Sequence, residues 1–204
     1  VVLVTGRRCP LALPIAQQRG VPVTMIASNG ALIRSSDGET HLRHLLSRDT
    51  ARKILDATRE WREATAVIFD RAHENQIILE IPGWTDTQRA GYFARYRESF
   101  GQAVPLESCL VEDPIQVMLS GPIAPIRRAE AHLRSAGFAG EFALAPTVYE
   151  SRDFAMLDVL NPICSKGAAL AEWASVRGVT RNEILAIGDN HNDLEMLHFA
   201  GIPV

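Results

Sequence analysis

Asp189 ends the apolar run "ILAIGD" (residues 184–189), and Asn192 and Asp193 follow it at the head of a helical pattern. A carboxylate set directly after a buried strand and a glycine is costly unless it is solvated or paired with a cation, so Asp189 has little structural purpose of its own. Two other apolar runs end in small polar residues: "VVLV" in Thr5–Gly6–Arg7, and "TMIA" in Ser28–Asn29–Gly30. Lys166 stands just before a further helical pattern, "GAALAEWASVRG" (residues 167–178). Ligands of open parallel sheets gather at the carboxyl ends of the strands. As parallel neighbours, the three strands would bring all three clusters to one edge of one sheet, which is an arrangement for metal and phosphate chemistry.

Each element taken alone has a plainer explanation. Thr5–Gly6 is an ordinary turn after a strand, and Asn29–Gly30 is a common turn dipeptide. Lys166 reads as a solvated surface lysine, while Asn192 and Asp193 are good helix N-caps. The combination is harder to explain away than any member.

The elements that position these residues alternate in type. "VVLVT" reads as a buried parallel strand, "PLALPIAQQRG" as a helix stopped by Gly20, and "VPVTMIASNG" as a second strand. Asp37–Gly38, between short alternating arms, predicts a tight hairpin. From Ser47 the pattern changes. A helix carries Ala51, Ile54, Leu55 and Trp61 on one face, strands "AVIFD" and "QIILEI" follow, and the segment from Trp84 to Phe100 reads as helical. A helix "PIRRAEAHLRSAG" then separates strand "PIQVMLSG" from the paired strands "FALAPTVYE" and "FAMLDVL". Strands joined by tight turns predict an antiparallel sheet with helices on one face. After Asn161 the parallel-type pattern returns, with a capping box expected at Thr180 and Glu183. The fold class is therefore α/β: a doubly wound, Rossmann-like parallel core over residues 1–35 and 161–204, interrupted by an α+β insertion over residues 36–160.

Apolar residues make up 47% of the 204, which indicates a globular chain, not a disordered or fibrous one. A net charge of −3 without a dense basic block argues against a nucleic-acid partner. The apolar runs are far shorter than a membrane span. Cys9, Cys109 and Cys164 are too scattered for a disulfide framework or a CxxC knuckle, so a reducing, cytoplasmic setting is expected. The six histidines do not form a metal-ligand set and are expected at surfaces or in loops. Tyr92, Arg95, Tyr96 and Arg97 read as a helix face packed on the second sheet.

The ordered set "TGR", "SNGA", "SKGAAL" and "GDNHNDLEML" resembles the haloacid dehalogenase superfamily of phosphohydrolases, in particular its Cof-type branch with a type IIB cap. The resemblance runs over nearly the whole chain, the insertion having the size and strand–helix mixture of that cap. It implies magnesium-dependent hydrolysis of a small phosphomonoester, such as a sugar phosphate or similar metabolite, through an aspartyl-phosphate, under a cap that selects the leaving group. Thr5 and the Gly6 amide would hold a phosphoryl oxygen, and Lys166 would neutralise phosphoryl charge. Asp189 would bind Mg²⁺, Asn192 would touch the phosphate, and Asp193 would orient Lys166 or a metal-bound water. Arg7 and Asn29 would be substrate contacts.

One part of the family pattern is missing. The nucleophile and the general acid–base of the family lie in an Asp-x-Asp strand, and no Asp-x-Asp occurs in this sequence. The chain is accordingly expected to be a piece of a phosphatase, truncated at both ends and inactive alone. The alternatives are a protein that binds phosphorylated ligands without hydrolysing them and a phosphomutase-type phosphotransferase.

Overall fold

Short, β-branched and free of turn formers, Val2–Val4 makes a strand, β1, which in a computed structural model pairs in parallel with β2, Thr24–Ala27. The structure describes residues 1–18, 20–80 and 94–204. The crossover between the two strands is helix α1, Cys9–Gln17, with Pro10 in its first turn, where no N–H is needed, and Pro14 in its interior. Val23 and Met25 bury against Ala12 and Ala16 of α1. Strands β3, Leu32–Ser35, and β4, Thr40–Arg43, form the expected hairpin, with Gly38 at φ +98°. The hairpin extends the first sheet in the order β1-β2-β3-β4 and does not join the inserted layer. By contacts the chain divides into two units, Val1–His44 with Ile163–Val204 and Leu45–Pro162. The unit boundaries therefore fall after His44 and Pro162, not at residues 35 and 160.

The second unit begins with α2, Arg48–Ala57, capped by Ser47, whose hydroxyl accepts from the Thr50 amide at 3.1 Å. Its sheet comprises β5 (Thr65–Ile68), β6 (Ile77–Leu79), β7 (Phe100–Gln102), β8 (Gln116–Gly121), β9 (Ala143–Tyr149) and β10 (Phe154–Leu160), in the order β7-β6-β5-β8-β10-β9. All pairs are antiparallel except β6–β7. Alternate residues of one face (Val67, Ile78, Val117, Leu119, Ala155, Leu157 and Val159) bury together with Ile54 and Leu55 of α2 and with Ile126 and Leu133 of α3, Ile123–Arg134. This is the α+β layer expected from strands joined by tight turns. Phe100, expected in a helix, begins β7, and a 3₁₀ turn at Arg97–Ser99 precedes it. Ala94 and Arg95 are helical, while residues 84–93 of that expected helix, Trp84 and Tyr92 among them, lie outside the described residues.

The chain returns to the first unit with α4, Lys166–Val176, whose Ala169, Leu170 and Trp173 bury against Ile26 of β2. Strand β2 thus has α1 on one face and α4 on the other, the doubly wound arrangement. His41 is not a loop residue: it lies on β4 against the Trp173 ring, whereas His44 follows the strand and is bonded to Glu172 at 2.7 Å. The capping box forms, with the Thr180 amide donating to the Glu183 carboxylate at 2.9 Å. Strand β11, Leu185–Ala186, pairs in parallel with β12, Ile202–Pro203, around helix α5, Leu194–Phe199.

Here one expectation fails. β11 is not in the sheet of β1 and β2, so the three polar clusters do not share one sheet edge. The physical reason is the pairing: among the described residues β1 bonds only to β2 and β11 only to β12. A groove of about 1210 Å³ is lined by Val1–Val4 together with Leu185–Ile187. Apolar side chains at these strands stay in solvent, with Val1 89%, Leu185 57% and Ile187 70% exposed. No helix among the described residues is long and apolar enough to cross a membrane.

Candidate active site

The site grows from three loops of the first unit. After β1 the chain turns at Thr5–Gly6–Arg7, and this turn is tied to the neighbouring strand end by backbone bonds. Thr5 N–H donates to the Ile26 carbonyl at 2.8 Å, Ser28 N–H to the Arg7 carbonyl at 2.9 Å, and Asn29 N–H to the Thr5 carbonyl at 3.2 Å. The Thr5 hydroxyl accepts from the Arg7 amide at 3.1 Å, which leaves the hydroxyl hydrogen free to turn to an anion.

Lys166 is the first residue of α4, next to Ser165, which caps the helix by accepting from the Ala168 amide at 3.0 Å. It is not the solvated lysine that its sequence position suggests. At 7% exposure it is buried, with its Nζ donating to Asp193 Oδ1 at 2.7 Å and to Asn192 Oδ1 at 2.9 Å. Nor is Asp193 a helix cap. It stands at the N-cap of α5 but makes no cap bond; its second oxygen accepts from the Asn190 amide at 3.1 Å. A Cβ on Gly188 would lie 2.6 Å from the Cβ of Asp193, so glycine there lets the loop fold over the carboxylate. Asn192 also donates through Nδ2 to Asn29 Oδ1 at 3.4 Å, joining this loop to the turn after β2.

The structure thus brings Thr5, Gly6, Arg7, Asn29, Lys166, Asn192 and Asp193 into one connected set. Asp189 differs. It is exposed, so solvation rather than a bound cation already removes the burial penalty that singled it out in the sequence. Among the described residues no three His, Cys, Asp or Glu side chains gather as a metal cage. The donor set still suits Mg²⁺, which takes hard oxygens, keeps several waters and is commonly held by one or two carboxylates plus substrate phosphate. Asp189 would supply one such carboxylate; the carboxylate of Asp193 is engaged by Lys166 and Asn190. Sequence reasoning missed Ser165, although a serine before "KGAAL" is a readable N-cap signal, and took Ser28 and Gly30 only as members of the polar turn after the second strand.

Comparison with known proteins gives a consistent picture. A family profile described as haloacid dehalogenase-like hydrolase matches residues 1–204. The phosphoglycolate phosphatase of Methanoculleus marisnigri is 51% identical over 44 residues, which is 22% of this chain and only 19% of that protein. The HMP-PP phosphatase of Serratia proteamaculans is 26% identical over 201 residues, covering 98% of this chain and 69% of the relative. Among solved structures, a haloacid dehalogenase-like hydrolase from Bacteroides thetaiotaomicron superposes with a TM-score of 0.76 at 19% identity, over 98% of this chain and 72% of that one.

Proposed function

Because the chain belongs to the haloacid dehalogenase-like hydrolases, we propose that it forms the phosphate- and magnesium-binding part of a phosphatase acting on a small phosphomonoester, such as a sugar phosphate or similar metabolite. The observation that carries this reading is the buried ammonium of Lys166, held at 2.7 Å by Asp193 and at 2.9 Å by Asn192. Phosphoryl transfer is catalysed mainly by positioning and by cations matched to the equatorial oxygens, and a fixed, desolvated ammonium is such a cation.

In this reading Lys166 neutralises charge on the bound phosphoryl group and Asp193 fixes its direction. The Thr5 hydroxyl and Gly6 amide hold one phosphoryl oxygen, Arg7 contacts the substrate from the same turn, and Asn192 presents its carboxamide to the phosphate. Asp189 would hold Mg²⁺, which supplies charge neutralisation of the phosphate when bound. The nucleophilic and acid–base aspartates belong to a strand outside this sequence, which contains no Asp-x-Asp. The groove lined by the unpaired edges of β1 and β11 supports a place for that strand. Without it, residues 1–204 bind phosphate but release none.

A second reading, a protein that binds phosphorylated ligands without turnover, is favoured only by the missing Asp-x-Asp. The test compares two proteins. Residues 1–204 should bind inorganic phosphate in the presence of Mg²⁺, lose that binding in Lys166→Met, and hydrolyse no p-nitrophenyl phosphate. The protein encoded with its upstream sequence should hydrolyse phosphomonoesters only with Mg²⁺. An upstream sequence that encodes no Asp-x-Asp strand, or a longer protein without phosphatase activity, overturns the hydrolase reading. Transfer to an added sugar acceptor without net phosphate release would mark a phosphomutase instead.

A further inference from the structure

The turn that follows β2 has an unusual backbone. Ser28, Asn29 and Gly30 have φ of +49°, +53° and +101° in succession. A left-handed conformation is costly for a non-glycine residue, and it persists only where surrounding contacts over-determine it. Ser28 adds to the strain, since its hydroxyl is fully buried with no hydrogen-bond partner among the described residues.

The compensating contacts all lead to the phosphate site. The Ser28 and Asn29 amides bond the carbonyls of Arg7 and Thr5. Gly30 lies so close to the head of α4 that a Cβ there would come within 2.3 Å of the Ser165 carbonyl oxygen. The side chain of Asn29 is 2% exposed and lies over Gly6, where an added Cβ would sit 2.9 Å from its Oδ1. The same oxygen accepts from Asn192 Nδ2. One strained turn therefore fixes the Thr5–Arg7 turn, the Lys166 helix start and the Asn192 loop.

The chemistry of the donors sets the polarity of this chain. An ammonium only donates, so Asn192 must present its oxygen to Lys166. Its amide nitrogen then faces Asn29, which must answer with an oxygen. We infer that Asn29 is a positioning residue, not a substrate contact: it holds the carboxamide of Asn192 in the one orientation that supports Lys166. This inference rests on the phosphate-site reading above, and its test separates the two.

The variant Asn29→Gly keeps the left-handed backbone and deletes the carboxamide, whereas Asn29→Asp keeps an acceptor for Asn192. In ¹⁵N-labelled residues 1–204 at low temperature and mildly acidic pH, Asn29→Gly should shift the Lys166 ammonium signal. Asn29→Asp should return it toward the wild-type position, an effect that a merely structural role would not produce. Inorganic phosphate affinity should fall about tenfold in Asn29→Gly and in Asn192→Ala, with no further loss in the double variant, because coupled residues are not additive. An unmoved Lys166 signal, or a full additional tenfold loss in the double variant, overturns the inference, the latter by showing direct contact with the anion. If wild-type residues 1–204 bind no phosphate, the function reading fails, and the ammonium signal alone decides the role of Asn29.

Discussion

Removing one member of the Lys166–Asp193 pair is the most demanding test of the site. The two groups are 7% and 6% exposed, with 2.7 Å between Nζ and Oδ1. At an effective dielectric near 20, charges that close attract by about 6 kcal/mol, which desolvation largely offsets. Taking one partner away leaves the offset without the attraction. In Lys166→Met the buried carboxylate keeps, among the described residues, only the Asn190 amide as a partner, and in Asp193→Asn the buried ammonium keeps neutral oxygens alone. Each change should cost about 3–5 kcal/mol, and the double variant should cost about 3 kcal/mol less than their sum. Trp173 packs in the same core as α4, so its fluorescence in a Trp61→Phe, Trp84→Phe background reports unfolding of this unit. With a urea dependence of about 2 kcal/mol per molar, each single change should lower the midpoint by about 2 M, and 1 M NaCl should alter the difference little because the pair is buried. A single variant costing under about 1 kcal/mol, or strictly additive losses, would refute the buried, coupled pair.

Three further outcomes rest on contacts elsewhere in the two units. Gly30→Ala places a methyl 2.3 Å from the Ser165 carbonyl oxygen at a φ of +101°, so thermal scans should show a fall of about 10 °C or more; an unchanged midpoint would mean that the turn does not abut α4 as described. Burial pushes the Glu107 carboxyl up, but hydrogen bonds from its backbone segment and from Arg62, with the Arg62 charge, outweigh this and hold it below 4.5. A depressed carboxyl contributes stability above its unfolded value and loses it as the pH falls through the folded one. Melting between pH 6 and pH 3 should therefore be less acid-sensitive in Glu107→Gln than in the wild type, and parallel curves would contradict the pairing. Burial, aided by the Glu172 charge, pushes the Cys164 thiol up to about 12. Its alkylation at pH 8 should run roughly 10³-fold slower than that of an ordinary cysteine until urea is added; rapid labelling of the folded protein would refute it.

The pattern of apolar residues made most elements legible, because strand and helix periods and N-cap chemistry are local. Val2–Val4, the Ser47 cap, the Asp37–Gly38 hairpin and the Thr180–Glu183 box are all readable within a few residues. What the sequence concealed depends on partners far apart in the chain. Read locally, Asp193 and Lys166 are a cap and a surface lysine, and only the family resemblance implied that Asp193 would orient Lys166. The separation of β11 from β1 is equally non-local, being a matter of which strand edges pair. Asp189 misled in the other direction, as its position after an apolar strand suggested burial that the loop avoids.

The unit holding the proposed phosphate site is made from residues 1–44 and 163–204, with residues 45–162 between them. Closing an unstructured loop of that length costs about 3 kcal/mol more than closing one of a few residues. The side chain of Asn161 donates to the carbonyl of Leu45 at 2.8 Å, fastening the start of the insertion to its end. Once the insertion has folded, its ends are neighbours and most of that entropy has already been spent. During synthesis the inserted segment is also complete before Lys166 and Asp189 emerge. The expected order is insertion first and phosphate site last, so substitutions that slow the inserted sheet should delay the appearance of anion binding without touching a single residue that contacts the anion.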